Sequence, residues 1–161
     1  PSQLEILSSA RDALPRLQRL GFEFAIVTNQ PAAAKGKTTR VNLKTVHEKL
    51  LGELRGMGVD IIESKICFHQ SEDECECRKP NPKMLLEVMS RHAAQEVWMV
   101  GDGITDVQAG VAAKVKTIFL GPKKPDAFGI FVEKNFTPDL WLKDLCEVAD
   151  HFESLKNSEK R

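Results

Sequence analysis

The chain has 161 residues, 42% of them hydrophobic, and its 23 Lys and Arg residues balance 23 Asp and Glu residues. This balance argues against a surface built to bind nucleic acid or anionic lipid, although a local basic patch is compatible with it. No apolar run approaches the roughly 18 residues of a membrane span, and no signal segment opens the chain. We therefore expect a cytoplasmic monomer that binds neither nucleic acid nor membrane.

Short apolar runs alternate with helical patterns along the chain. Leu14, Leu17 and Leu20 predict a first helix that ends at Gly21, and Pro15 either starts or bends it. The predicted strands cover 24–27, 61–68, 97–100, 115–120 and, more weakly, 130–132, and the last predicted helix covers 140–152. This alternation is typical of a parallel sheet between two helical layers. We expect one three-layer α/β domain over 1–156 and a charged tail over 157–161.

Polar residues follow three of the predicted strands. Open parallel sheets bind ligands at the carboxyl ends of their strands, so these residues are the first candidates for a site. They are Thr28, Asn29 and Gln30 after the first strand, Arg78 and Lys79 beyond the second, and Asp102 and Asp106 after the third.

Two carboxylates after the third strand are candidate metal ligands. Asp102 stands at the strand end, and Asp106 falls four residues later, in or near the first turn of the next helix. Both can point into one crevice, and carboxylate oxygens suit Mg²⁺. The alternative is that Asp106 or Thr105 simply caps the helix.

A hydroxyl and two cations predict phosphate binding. A hydroxyl at a strand end followed by free main-chain N–H groups is a good phosphate cradle, and Thr28 with Asn29 offers one; Lys79 and Arg78 supply positive charge. Pro80 would hold Lys79 in a defined place. Taken singly, an ordinary strand-end threonine and a solvated surface pair are the better explanations of these residues. Together with the carboxylates they suggest phosphoryl transfer.

Three cysteines and a histidine lie within eleven residues: Cys67, His69, Cys75 and Cys77. Three thiolates and an imidazole are the closed donor set of a structural Zn²⁺ site, and disulfides or free thiols are the alternatives. Zinc would order the polar loop between the pairs and the adjacent Arg78. The fourth cysteine, Cys146, is expected to be a small core residue.

Three motifs, at 26–30, 67–80 and 100–106, resemble those of the haloacid dehalogenase superfamily. More narrowly, they resemble its capless, zinc-loop branch, which contains D-glycero-D-manno-heptose 1,7-bisphosphate phosphatases and histidinol-phosphate phosphatases. The likeness covers about 10–150. It implies a Rossmann-like three-layer fold with a central parallel sheet, no cap domain and a zinc-binding loop.

The resemblance also implies an activity and residue roles. It implies Mg²⁺-dependent hydrolysis of a small sugar phosphate, within carbohydrate metabolism, through a phospho-aspartyl intermediate. Heptose 1,7-bisphosphate is the preferred substrate and histidinol phosphate the alternative. By this resemblance Thr28 binds phosphate, Lys79 stabilises the charged intermediate and Arg78 contacts substrate. Asp102 ligates Mg²⁺, Asp106 occupies the second acidic position, and the four Cys/His residues hold structural zinc.

One departure from the family pattern affects catalysis. The family's nucleophile lies in an Asp-x-Asp-Gly motif ahead of Thr28, and no Asp-x-Asp occurs in this sequence, which begins with Pro1 rather than Met. We therefore expect that the strand carrying this motif is missing from the 161 residues and that they are inactive alone. The loop at 31–36 also departs from the family pattern, so the resemblance does not assign it the family's substrate contacts.

Two further hypotheses come from other classes. One is an inactive, zinc-stabilised module that binds a phosphorylated ligand or a partner protein. The other is a phosphatase of nucleic-acid ends, which the zero net charge and the Cys/His loop disfavour.

Overall fold

The structure is a computed structural model that describes residues 4–122, 125–133 and 135–158. Helices and strands alternate along most of the chain. The helices are α1 (Ser8–Arg19), α2 (Arg40–Gly56), α3 (Lys83–Arg91), α4 (Ile104–Ala112), α5 (Pro125–Glu133) and α6 (Leu145–Ser158). The strands are β1 (Phe24–Asn29), β2 (Ile61–Cys67), β3 (Trp98–Gly101), β4 (Lys116–Leu120) and β5 (Leu140–Leu142), and a 3₁₀ turn covers Ser71–Asp73. The predicted α/β class is confirmed.

The chain divides into two compact units. The first contains Pro1–Ile26, Gln30–Phe68 and Asp144–Arg161, and the second contains Val27–Asn29 and His69–Lys143. Strands β1 and β2 pair in a two-stranded sheet, and β3, β4 and β5 form a three-stranded sheet. In the part of the chain that is described, no helix combines the length and apolar character needed to cross a membrane.

The first unit packs helices around a small apolar core. Ile6, Leu54 and Val59 are buried there. Helix α1 continues through Pro15, and Gly21 follows it with a φ of +102°, as its predicted place after the helix requires. Helices α1 and α6 are joined by polar contacts as well, because the Arg16 guanidinium lies 2.6 Å from the Glu153 carboxylate. This ion pair helps to hold the two helices together.

The second unit is built on a parallel sheet. Val100 of β3 lies opposite Ile118 of β4, and Ile118 in turn lies opposite Leu140 of β5. Helix α4 packs closely on this sheet at Gly110, where an added Cβ would come within 2.5 Å of the Thr117 Cγ2 atom. The second unit also contains the last three residues of β1 and the loops after β2 and β3, where most of the candidate residues lie.

Two predicted elements are wrong in type. Residues 130–132 belong to helix α5, not to a strand. Phe131 is 1% exposed and its neighbour Val132 is 59% exposed. An apolar run of three residues is too short to distinguish the period of a helix from the period of a strand. Residues 140–142 form β5 rather than the start of the last helix, because they pair with β4. The last helix begins at Leu145 and continues to Ser158, into the predicted tail, whose residues 159–161 lie outside the described part.

Candidate active site and metal-binding cluster

Lys79 is a buried cation in the second unit. The residue is 9% exposed, and its ammonium lies 2.7 Å from the main-chain oxygen of Val27 and 2.6 Å from Oδ1 of Asp106. An ammonium has three N–H donors, so these two contacts leave one for a further acceptor. The solvated surface lysine that the sequence left open is therefore excluded by the burial of this side chain.

Asp106 connects Lys79 to the start of helix α4. Its Oδ2 accepts a hydrogen bond from the main-chain N–H of Gly103 at 3.0 Å, which satisfies one of the free N–H groups of the first helical turn. Gly101 makes this possible, since a Cβ there would collide with the Asp106 carboxylate. Both oxygens of Asp106 thus have partners within the chain. If Asp106 is also a magnesium ligand, as the sequence predicts, the ion must share one of these oxygens with Lys79 or with the Gly103 N–H.

Asn29 lies at the end of β1 and contacts the main chain of Lys79. Its Oδ1 accepts from the Lys79 N–H at 3.1 Å, and its Nδ2 donates to the Lys79 oxygen at 3.0 Å. Its neighbour Gln30 donates its main-chain N–H to the oxygen of Cys67 at 2.7 Å. The N–H of Gln30 is therefore used within the chain, and the phosphate cradle of Thr28 with Asn29 stays a prediction.

Thr28 is the second-to-last residue of β1, and Asp102 directly follows β3. Thr28 is half-buried in β1, one residue from Val27, whose oxygen contacts Lys79. Asp102 follows β3 directly and is exposed, so its carboxylate is open to an ion or a ligand. The second unit thus contains a hydroxyl near the end of β1, a held ammonium in the loop before α3 and an exposed carboxylate after β3.

An open cleft of about 600 Å³ borders Lys79. Arg78 lines it and is held by a hydrogen bond from its Nη1 to the His69 oxygen at 3.0 Å. The complete lining is Ser71, Glu74, Cys75, Arg78, Lys79, Pro80, Asn81 and Thr105. The sequence did not single out Ser71, Glu74 or Asn81, and of Thr105 it suggested only a helix cap. Their nearness to the Cys/His loop and to the third motif was the one available signal.

The Cys/His group has the donor chemistry of a zinc site. Within the second unit, Nδ1 of His69 lies 3.3 Å from Sγ of Cys77, which lies 3.6 Å from Sγ of Cys75. Zn–S bonds of about 2.3 Å and Zn–N bonds of about 2.1 Å in a tetrahedron separate neighbouring ligand atoms by about 3.6–3.8 Å. Cys67 ends β2 only two residues before His69, so the backbone keeps it near this group. The residues therefore fit a zinc ion.

Family comparison agrees with the motifs. Residues 2–114 match the model of the haloacid dehalogenase-like hydrolases. The chain is 34% identical over 122 residues to a D-glycero-β-D-manno-heptose-1,7-bisphosphate 7-phosphatase of Neisseria meningitidis, a match that spans 73% of this chain and 65% of that protein. The phosphatase of the same name from Escherichia coli K12 is 35% identical over 166 aligned positions, covering 97% of this chain and 83% of the relative.

Solved structures show the same relationship. A D,D-heptose 1,7-bisphosphate phosphatase from B. bronchiseptica, complexed with magnesium and phosphate, superposes with a TM-score of 0.77 at 25% identity, over 92% of this chain and 83% of that one. A haloacid dehalogenase-like phosphatase from Mesorhizobium loti superposes with a TM-score of 0.74 at 26% identity, over 96% of this chain and 77% of that one. The chain belongs to the haloacid dehalogenase-like hydrolase family, as its motifs indicated.

Proposed function

We propose that this protein is a Mg²⁺-dependent phosphatase that hydrolyses a small sugar phosphate. The observation that carries the proposal is the buried Lys79 ammonium, held by the Val27 oxygen and the Asp106 carboxylate beside an open cleft. A cation fixed in advance at a site of developing negative charge stabilises phosphoryl transfer without rearrangement. The named activity of the relatives supports this assignment.

The roles of the side chains follow from their positions. The Lys79 ammonium donates its remaining N–H to a phosphate oxygen, and the Thr28 hydroxyl donates to a second oxygen. Arg78, on the cleft wall, contacts the substrate with the guanidinium N–H groups that do not bond to His69. Asn29 and Gln30 were expected at the same site, and we propose that they support it through the contacts of Asn29 with Lys79 and of Gln30 with Cys67.

Two metals are part of the proposal. Asp102 offers one carboxylate for Mg²⁺, which commonly takes one or two carboxylates, waters and a substrate oxygen. A bound Mg²⁺ would neutralise charge on the phosphate oxygens. Cys67, His69, Cys75 and Cys77 would hold a structural zinc ion. The zinc would order the loop that ends at Arg78, whose side chain is bonded to the His69 main chain.

The finer substrate assignment is D-glycero-D-manno-heptose 1,7-bisphosphate, with histidinol phosphate as the alternative. The printed names of the relatives and of one structural neighbour favour the heptose compound. The cleft lining supports a polar ligand, since Ser71, Asn81 and Thr105 offer hydrogen-bonding groups along it. We propose that the protein acts on it in the cytoplasm as a monomer.

The proposal leads to two different expectations for turnover. The 161 residues contain no Asp-x-Asp, the motif that carries the family's nucleophile. Alone, the chain should bind phosphate with Mg²⁺ and release none from a substrate. The product of the complete gene should hydrolyse the heptose bisphosphate faster than histidinol phosphate. Phosphate release from both substrates, assayed with both proteins, is the test.

The outcome of that assay also decides the second candidate function. A complete gene product that contains no Asp-x-Asp and binds phosphate without turnover would overturn the phosphatase proposal. It would identify a zinc-stabilised module that binds a phosphorylated ligand. The absence of Asp-x-Asp from these 161 residues is the observation that favours this candidate.

A further inference from the structure

The side chain of Asn29 makes two hydrogen bonds to one residue. Its Oδ1 accepts from the main-chain N–H of Lys79 at 3.1 Å, and its Nδ2 donates to the main-chain oxygen of Lys79 at 3.0 Å. One side-chain amide thus pairs with both polar groups of one peptide residue, as a neighbouring strand would in a sheet. Two bonds of opposite direction fix the orientation of the Lys79 main chain as well as its position.

The segment around Lys79 has little regular structure of its own to fix it. Residue 79 lies between the 3₁₀ turn Ser71–Asp73 and helix α3, in a loop. Loop main chain is generally more mobile than strand main chain. Asn29, by contrast, is the last residue of a strand. The amide therefore connects a loop residue to a fixed point on β1.

The far end of the Lys79 side chain is held by other groups. Its ammonium contacts the Val27 oxygen at 2.7 Å and the Asp106 carboxylate at 2.6 Å. A lysine side chain has four rotatable bonds, so several of its rotamers can connect a fixed ammonium to the main chain. Fixing the main chain and the ammonium together defines the direction of the remaining N–H.

We infer that Asn29 is a positioning residue for Lys79, and that its amide acts on the phosphate through the lysine and not by direct contact. This differs from the substrate-binding role that its place beside Thr28 predicts. Both polar atoms of the amide bond to the Lys79 main chain, and one N–H of Nδ2 remains. The inference rests on the proposed function only in that phosphate binds at Lys79.

Hydrogen exchange tests the contact itself. In Asn29→Ala the Lys79 N–H loses its acceptor, so its amide exchange should accelerate roughly tenfold. Asn157→Ala, which removes an exposed asparagine from α6, should leave the Lys79 rate unchanged. Asn29→Asp keeps an acceptor for the N–H and should preserve most of the protection. An unchanged Lys79 rate in Asn29→Ala would overturn the inference. Asn29→Ser serves the same purpose if the alanine variant does not fold.

A double-mutant cycle tests the role. The probe is inorganic phosphate with Mg²⁺, and its dissociation constant is measured by ³¹P NMR titration, which reaches millimolar affinities. Asn29→Ala should weaken binding roughly tenfold when Lys79 is present and change it little in Lys79→Met, because the amide acts through the ammonium. Equal losses in both backgrounds would show direct contact between Asn29 and phosphate, and would overturn the inference.

The two experiments separate this inference from the proposed function. If the unchanged chain binds no phosphate, the proposed function fails, while the exchange rate of the Lys79 amide still decides whether Asn29 holds that residue. If phosphate binds and the cycle is additive, the proposed function stands and the positioning role fails.

Discussion

Lys79 and Asp106 form a buried ion pair, with side chains that are 10% and 11% exposed and charged atoms 2.6 Å apart. The same carboxylate accepts a hydrogen bond from the Gly103 N–H at the start of α4. One side chain thereby joins the loop before α3 to the N-terminus of α4. The position of the Lys79 ammonium, the cation of the proposed active site, therefore depends on a residue that the sequence suggested as a metal ligand or a helix cap.

We expect Asp106→Asn to destabilise the protein by about 3 kcal/mol. Removing one partner of a buried pair leaves the other charge without compensation in a poorly solvated place. The amide keeps an oxygen that can accept from Gly103, so the loss reports mainly on the charge of Lys79. Urea unfolding monitored by circular dichroism measures the free energy of unfolding.

The matched control is the exposed pair of Lys116 and Glu96, whose charged atoms lie 2.9 Å apart. Glu96→Gln should change the free energy of unfolding by less than about 1 kcal/mol, because water and salt screen an exposed pair. A similar loss of unfolding free energy in both variants would contradict the expected difference between the buried Lys79 pair and the exposed pair.

Two glycine-to-alanine substitutions should change the stability of the protein in opposite directions. At Gly110 the new Cβ would meet Thr117 Cγ2 at 2.5 Å and Met99 Cβ at 2.9 Å, so we expect a destabilisation of about 2 kcal/mol. At Gly52, inside α2, it would meet nothing within 4 Å, and we expect a gain of about 0.5–1 kcal/mol from helix propensity. Thermal unfolding of both variants checks the prediction. Two changes of the same sign would contradict the close packing at Gly110.

Stability should fall as the pH falls through the range in which His47 titrates. Partial burial lowers the pKa of His47 below its ordinary 6.5, and Glu48 opposes this effect only in part. His47 Nε2 also lies 2.6 Å from the Ser64 hydroxyl. Because the unfolded chain takes up the proton first, the stability contributed by neutral His47 is complete above about pH 6.5 and is lost as the pH falls through the folded pKa.

Urea unfolding at pH 8 and at pH 5 measures this dependence. His47→Gln should reduce the difference between the two pH values, since glutamine can still contact Ser64 but does not titrate. The control is His92→Gln, which leaves the contribution of His47 to the pH dependence in place. If His47→Gln shows the same pH dependence as the unchanged chain, the prediction is contradicted.

Loss of one thiolate should release the metal of the Cys/His group. We expect Cys75→Ser to lower the zinc content from about one ion per chain to a small fraction of that, because a closed tetrahedral site needs its four ligands. Mass spectrometry of the metal after dialysis against a weak chelator is the measurement. Cys146→Ser is the control, since Cys146 is not part of the group and instead contacts Ser9 and Asp12. Equal zinc retention in both variants would contradict the site.

Much of the fold and of the site could be predicted because its signals are local. Apolar runs predicted β1 to β4 within one or two residues, and the spacing of Cys67, His69, Cys75 and Cys77 predicted the cluster. Residues 140–142 were mistaken for helix because β5 exists only through pairing with β4, a contact between segments about twenty residues apart. No local pattern encodes such pairing.

The sequence by itself determined that Thr28, Lys79 and Asp102 come after predicted strands. It also determined the close spacing of the Cys and His residues. Only the tertiary structure decided how they are used. It placed the Asn29 amide on the Lys79 main chain and turned Asp106 toward the Lys79 ammonium. The physical reason is that hydrogen bonds and ion pairs between distant segments depend on distances of a few ångströms. Those distances are set by packing of the whole unit and not by spacing along the chain.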